Sequence, residues 1–584
     1  MKQLISFLAL GLLLMISMNI HAVTATSNPD FLQDGITVTG SVSDENGDPL
    51  TGVTVMIKGT LSGVITDFEG KYTIINVPAD GVIVFSYVGM KTIEVPVESR
   101  TNIDVTLQYD TEQLEELVVI GYGTQKKVEV TSAVATVKSD QFVKGAVQDA
   151  TQLIQGKVAG LNIVTPSGDP TANAQILLRG KNTLASSMDP LVIIDGVPGD
   201  INTVAPQDVE SIDVLKDGSA AAIYGTRGTN GVILITTKGG SGNIEPTLEY
   251  SGYISTQQLF RVPQMLNADQ FREKIAEGYP YPDYGSSTDW LGEITRDLPL
   301  SHVHNILLRG GNATTNYVAN ATYRSLQGVI IESNNNDFTG RIALNHNMFD
   351  NKLRFNVSIT SNDIRYRSLS DNGSFDGKIF RLATVLNPTA PIKDEDGNWF
   401  EQPAVARFEN PLALIYESEG ETQKQTQRLN ASVIFEPVQG LQFRALGSRS
   451  KMNSDFGYME TKDHISNVRD GLNGYAARSA SQSVDRLFEF TAQYKTSINE
   501  HNILALAGYS FQDNFSDYFY MQNWDFPSGP YSFMDNINKG NAIREGADNL
   551  MSSSKYASNL IGFFGRISYN YKEKYLLMAS VRHE

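Results

Sequence analysis

From Pro246 onward, apolar and polar residues alternate in segments of about ten residues, the period of a strand with two unlike faces. In LRFNVSIT, Leu353, Phe355, Val357 and Ile359 alternate with Arg354, Asn356, Ser358 and Thr360. In RIALNHNMF, Ile342 and Leu344 share a face with Phe338 and Met348, and Arg341, Asn345 and Asn347 share the other. LNASVIF, LQFRALGS, FEFTAQY, FFGRISYNY and YLLMASV repeat the theme, and about eleven such strands are predicted. Their connections alternate in length. Tight turns are expected near Gly311-Asn312 and at 349–352, 437–440, 496–501 and 571–574. Long polar, glycine-rich stretches fall at 257–300, 366–422, 452–483 and 513–560, with a shorter one at 327–335. In an up-and-down sheet every second connection lies on the same side, so this sorting predicts a transmembrane barrel with short turns at one end and long loops at the other. An odd strand count and a final strand that runs into Glu584 predict that the barrel is incomplete here, because raw edges have no water to bind in lipid.

Upstream the pattern differs. Between Ile36 and Gln108, short runs (ITVTGSV, GVTVMIKG, KYTIINV, GVIVFSYVG, IDVTLQ) are separated by Asn46-Gly47, Glu69-Gly70 and Asp80-Gly81, which predicts a small β-sandwich. Asp44, Asn46 and Asp48 have the spacing of a calcium loop, but its glycine and distal glutamate are out of register, so a hairpin turn is expected. Val128 to Gly240 is mixed: a short helix in QDATQLIQGKVAGLNI, strands in QILLRG, PLVIIDGVP and VESIDVLKD, then an alanine-rich helix, a glycine turn and a last strand in DGSAAAIYGTRGTNGVILITTKGG. Gly225, Gly228 and Gly231 follow a helix and precede a strand, the reverse of a dinucleotide cradle, so tight turns are expected rather than phosphate binding. Between these regions lies LEELVVIGYGTQKK, 114–127, whose apolar core has strand propensity yet belongs to neither neighbour.

Composition narrows the classes. The chain has 584 residues, a net charge of −18 and no cysteine. The charge argues against a nucleic-acid partner. The missing cysteine removes disulfides, thiolate catalysis, Cys-ligated metals and a lipid-anchored N-terminus. Residues 1–22 read as a secretory signal peptide, with Lys2, an apolar run from Leu4 to Ile20, and cleavage after Ala22 or Ala25. No later apolar run is long enough for a spanning helix, so membrane insertion requires a β-barrel. His302 and His304 share one face of a strand; two histidines without a third ligand are expected to be rim residues, and no metal site or cofactor is expected. No carboxylate pair marks a glycoside-cleaving site, so no enzymatic activity is expected.

The whole chain after the signal peptide resembles the SusC/RagA-type TonB-dependent outer-membrane transporters of Bacteroidetes. GSVSDENGDPLTGVTVMIKGT and YTIINVPADGVIVFSYVGMKT look like the carboxypeptidase-regulatory-like domain, assigned to 36–108. LEELVVIGYGTQKK looks like the TonB-box region at 114–127. PLVIIDGVPGD and VESIDVLKDGSAAAIYGTRGTNGVILITTKGG look like the plug signature, with the plug at 128–240. Residues 246–584 correspond to the N-terminal half of a barrel, about eleven of the family's 22 strands. The resemblance implies a mainly β protein with periplasmic N-terminal domains. TonB would grip the TonB box by adding it as a strand to its own sheet, driven by ExbB and ExbD. A SusD-like surface lipoprotein would lid the barrel, which sits in outer-membrane lipid. The implied cargo is most often an oligosaccharide, with peptides as the alternative. A receptor or adhesin that does not transport is the rival reading. Carried over residue by residue, Glu116, Leu117, Val118, Val119, Ile120, Gly121 and Tyr122 form the TonB box, a strand whose partner is expected in another protein. Asp195, Gly196, Lys216, Asp217, Gly225, Arg227 and Gly228 are expected in plug turns, their charges latching plug to barrel or plug to itself. The substrate residues are not legible; Trp290, Trp399 and Trp524 could stack on sugar rings or pack loops together.

Overall fold

The computed structural model describes residues 35–108, 117–119, 124–126 and 133–584, apart from positions 46, 59, 61, 88–89, 166–168, 173, 181–186, 219–221, 241–242, 261, 368–374, 403–407 and 549. The signal peptide therefore lies outside the described residues. So do Glu116, Ile120, Gly121 and Tyr122. The chain divides into two compact units, Met1–Glu116 and Leu117–Glu584.

In the first unit, a three-stranded sheet (Lys71–Val77, Ile36–Ser43, Val105–Thr106) and a four-stranded sheet (Gly63–Ile65, Thr54–Ile57, Val82–Ser86, Ile93–Pro96) carry the predicted short strands. Alternate positions point into one core of Val38, Val42, Val55, Ile74, Ile83, Phe85 and Leu107. Tyr72 meets the Phe85 ring edge-on at 5.4 Å and donates its hydroxyl proton to the Ile103 carbonyl at 2.8 Å. The Asp44 carboxylate accepts from the Asp48 amide at 2.9 Å, and Gly47, at φ +87°, closes the loop onto the Asp44 carbonyl. This is the hairpin turn.

In the second unit, strands Leu117–Val119 and Thr124–Lys126 pair antiparallel, Leu117 opposite Lys126. The expected partnerless strand is thus corrected: it folds back on the residues that follow it. The α/β domain has a five-stranded mixed sheet in the order Val134–Lys138, Val209–Leu215, Val232–Thr237, Leu191–Ile194, Val197–Pro198, with a separate hairpin of Leu161–Val164 and Gln175–Leu178. VILITT reads as an unbroken apolar run because both its faces are covered. Ile233 and Ile235 enter one core with Ile154 and Ile212; Val232 and Leu234 enter another with Ile193 and Ile223.

The remainder is one antiparallel meander of eleven strands, each paired with the next. They are β1 (Ile244–Thr256), β2 (Leu300–Gly311), β3 (Thr315–Gln327), β4 (Asn334–Met348), β5 (Leu353–Arg367), β6 (Ser418–Val438), β7 (Leu441–Glu460), β8 (Tyr475–Ile498), β9 (His501–Trp524), β10 (Met551–Tyr571) and β11 (Tyr575–His583). The connection lengths sort as expected, with short turns at 312–314, 349–352, 439–440, 499–500 and 572–574. Left-handed backbone closes several of them, at Phe349, Asp350, Asn351, Gly440, Asn499, Lys572 and Glu573. The strands reach further into the expected loops than the alternation suggested: β7 runs to Glu460, β8 begins at Tyr475, and β9 and β10 run from the turn at 499–500 side to Trp524 and Met551. Beyond the apolar band, neither face needs to be apolar, so backbone pairing continues without the sequence signal. Among the described residues no helix is long and apolar enough to cross a membrane.

The sheet has the polarity of a barrel wall. Ile342 and Leu344 are 49 % and 44 % exposed, whereas Arg341 is 6 % exposed against the α/β domain. Tyr317, Phe349, Phe435, Tyr494, Tyr571 and Tyr575 lie toward the short-turn end, the aromatic-rich border expected of a membrane interface.

Candidate functional site at the inner face of the sheet

Polar strand positions that face inward cannot be left dry and unpaired. The α/β domain fills that space and supplies the partners. Arg341, on β4, puts Nε 2.5 Å from Asp208 Oδ2 and Nη2 3.0 Å from Asp208 Oδ1, and also donates to the Lys238 carbonyl. Asp208 ends the one-turn helix Pro206–Asp208, and its own carbonyl accepts from the Lys238 amide at 2.7 Å. Both side chains are buried, so a two-pronged ion pair joins the domain to the wall.

A second buried pair lies within the wall. Arg324 on β3 stands opposite Asp337 on β4 and bonds it, while reaching the Gln148 carbonyl of the α/β domain. Asn362 donates to Asp337 Oδ1 and to Thr339 Oγ1, both at 2.8 Å. Asn335 reaches the Pro170 carbonyl at 3.3 Å and Asn345 the Gly240 carbonyl at 3.4 Å. Arg428 on β6 lies against Gly199; a Cβ there would fall 2.2 Å from Arg428 Nη2, so a larger residue would push the guanidinium aside. Lower in polarity, Val197 packs on Leu446 and Leu487, and Tyr224 and Ile223 pack on Leu506 and Phe564. Burial pushes the Tyr224 phenol well above its ordinary range.

The residues singled out from sequence scatter around this boundary. Arg227 crosses it, its Nη1 bonded to Gln512 Oε1 on β9. Gly196, at φ +86°, faces the Arg444 guanidinium, and a Cβ there would lie 3.5 Å from Nη2. Gly225, at φ +69°, faces the Glu584 carboxylate. Asp195 serves the domain itself, accepting from the Thr237 amide at 2.9 Å and hydroxyl at 2.8 Å. Asp217 accepts from the Ala133 amide at 2.6 Å, and Lys216 donates its backbone N–H to the Ala133 carbonyl at 3.0 Å. Gly228 is buried, its carbonyl accepting from the Gly231 amide at 2.9 Å. Sequence reading missed Asp208, Arg324, Arg341 and Arg428 as a group. The available signal was arginine on the polar side of strands whose other side is apolar.

His302 and His304 do share a face, the outward one: the His304 ring bonds the Tyr250 hydroxyl at 2.8 Å, and His302 lies 6.0 Å from the Tyr323 ring. Among the described residues no cluster of three or more His, Asp or Glu is arranged to hold a metal. Trp290 is buried in a core formed by the long connections and donates to the Asn387 carbonyl at 3.0 Å. Trp399 stacks on Tyr416 at 6.2 Å, with Lys393 over its ring. These two rings hold connections together.

Residues 38–119 match the CarboxypepD_reg-like domain and residues 126–232 the TonB-dependent receptor plug domain. The chain is 33 % identical over 561 residues to TonB-dependent receptor P3 of Formosa agariphila, covering 94 % of this chain and 54 % of that protein. It is 35 % identical over 403 residues to TonB-dependent receptor SusC of Bacteroides thetaiotaomicron, covering 65 % of this chain and 39 % of that protein. The chain thus spans about half the length, or less, of the curated relatives it matches. The RagAB peptide importer in its open-open state superposes with a TM-score of 0.67 at 23 % identity, covering 80 % of this chain and 56 % of that one, a likeness of fold.

Proposed function

We propose, because the chain belongs to the SusC-like TonB-dependent receptors of Bacteroidetes, that it serves energised import of a nutrient across the outer membrane. The observation that carries this reading is the polar inner face of the sheet, filled by an α/β domain with a core of its own and joined to it through Asp208 and Arg341. Such a domain closes a pore and can be moved without unfolding the wall. We assign 128–240 as the plug, and 116–122 as the segment TonB grips. A three-residue pairing such as Leu117–Val119 with Thr124–Lys126 is weak in isolation, so exchanging it for a strand in TonB costs little. ExbB and ExbD then supply the pull, and a SusD-like lipoprotein supplies the lid at the long-connection end, with the N-terminal domains in the periplasm. Asp195, Lys216, Asp217 and Arg227 act in this reading as plug-turn groups that keep its shape and its seat.

An oligosaccharide is the cargo we favour. From Tyr475 to Ser483, the inward face of β8 and its partners on β9 are uncharged and hydroxyl-rich (Ser479, Ser481, Ser483, Ser516, Tyr518 and Tyr520), with Asp485 the first charge further down that face. Tyr475 and Tyr520 hydroxyls lie 3.0 Å apart and both donate to Gln522 Oε1. Neutral hydroxyls and aromatic rings suit sugar faces better than charged peptide ends. Peptide import is the second reading, favoured by the fold likeness to a peptide importer. Deleting residues 116–122 is expected to abolish uptake while leaving surface binding intact; uptake at the parental rate would refute the TonB-box assignment. Growth and binding across a panel of glycans and peptides separate the two cargoes.

A further inference from the structure

Outside the boundary already described, the outward face of the sheet carries an unbalanced charge cluster. On β7 this face runs Phe443, Ala445, Gly447, Arg449, Lys451; on β8 it runs Tyr494, Ala492, Phe490, Phe488, Arg486. The change from apolar to cationic comes at the same level on both strands, because Gly447 pairs with Phe488 and Arg449 stands directly opposite Arg486. Two like charges opposite each other on adjacent strands repel. Arg486 is relieved by Asp513 on β9 at 2.7 Å. Arg449 and Lys451 have no carboxylate within 4 Å among the described residues; Asp455, further along the same face of β7, is the nearest acid on that strand in sequence.

The contrast with their neighbours is informative. Four other cations toward the long-connection end are matched by acids, Arg365 with Asp363 at 3.5 Å, Lys555 with Asp517 at 3.2 Å, Arg478 with Asp535 at 3.5 Å, and Arg367 with Glu332, while Lys424 on β6 lies over the Tyr366 ring. Directly beneath Arg449 the apolar band has a hollow. Gly447 pairs with Ala431 on its other side, and a Cβ added to Gly447 would meet nothing within 4 Å. Exposed Leu429 and Phe488 flank it.

We propose that Arg449, Lys451 and Arg486 bind the phosphate of a phosphorylated membrane lipid in the leaflet at the long-connection end, with an acyl chain lying over Gly447 and Ala431. This rests on the sheet spanning a membrane, as the proposed function requires. The phosphate supplies the missing counter-charge, and cations at the polar edge of an apolar band are where lipid headgroups lie. The hollow accepts a chain without displacing any side chain.

The test uses the protein extracted from its own outer membrane in mild detergent. Lipid carried with it is counted by native mass spectrometry. Arg449→Gln with Lys451→Gln is expected to lower retained phosphorylated lipid about tenfold or more, whereas Arg449→Lys with Lys451→Arg and the control Arg365→Gln retain it. In nanodiscs, enzymatic removal of the lipid phosphate is expected to abolish the difference between parent and Gln variant, and millimolar inorganic phosphate is expected not to displace the lipid. Equal retention by the Gln variant, binding indifferent to the lipid phosphate, or full displacement by inorganic phosphate would each overturn the proposal while leaving the import reading intact. A protein absent from the outer membrane would overturn both.

Discussion

An arginine in the middle of a membrane strand is tolerable when it faces inward and meets an acid. Arg341 and Ile342 are neighbours in sequence, yet one is buried against Asp208 and the other is exposed on the apolar side. The alternation of RIALNHNMF makes this orientation legible without a structure. Its partner is not legible, because Asp208 lies 133 positions away and looks like any acid before a strand. Removing one member of a buried pair strands the other charge, at a cost of about 3–5 kcal/mol. Asp208→Asn is therefore expected to lower the urea midpoint at which the α/β domain becomes open to protease, leaving the wall folded. Arg341→Met is expected to do the same, and the double variant to cost much less than the sum. Strictly additive losses would show that the pair does not couple domain and wall.

At the level of elements, the period-2 pattern and the long-short sorting of connections made all eleven strands legible, because both follow from one face meeting lipid. Where that face ends, so does the pattern. RSASQSVDR, 478–486, is continuous strand in β8, but no alternation marks it; backbone pairing holds it to β7 and β9, helped by polar side-chain bonds such as Gln482 to Asn453 at 3.2 Å and Asn514 to Asp485 at 2.8 Å. LVVIGYGTQK was legible as a strand with a glycine break; its return pairing was hidden in a three-residue contact too short to leave a pattern. The turns carry a sharper sequence requirement. Gly440, in the two-residue connection from β6 to β7, has φ +84°, and a Cβ there would lie 2.2 Å from the Lys495 carbonyl, to which the sheet also holds it by a 2.8 Å bond from the Lys495 amide. Gly440→Ala is expected to cost about 1–3 kcal/mol through backbone strain alone, plus the clash. The readout is a smaller fraction of protein migrating as the heat-modifiable folded form. Gly447→Ala, with open space around its Cβ, is the matched control and is expected to fold as the parent does.

For the molecule as a whole, the import reading makes one mechanical demand: the α/β domain must shift against the sheet for cargo to pass. The boundary is built for a firm seat and a reversible one. Among the described residues, its directional links are the Asp208–Arg341 ion pair and a handful of hydrogen bonds, and its buried apolar contacts form small clusters around Val197 and Tyr224. A covalent tether across it should therefore separate binding from transport. These 584 residues contain no cysteine, so the two introduced thiols are the only ones in this part of the protein. Arg227 and Gln512 touch across the boundary, which makes Arg227→Cys with Gln512→Cys a suitable pair for a short, cleavable bifunctional maleimide. Tethered protein is expected to bind cargo at the cell surface as the parent does but to take none up, and cleavage of the linker is expected to restore uptake. Either single-cysteine variant, treated identically, should transport throughout, which removes loss of the Arg227 contact as an explanation. Full uptake with the tether quantitatively in place would mean that the domain does not move at this edge, and that any path for cargo opens on the side lined by Asp208 and Arg341 instead.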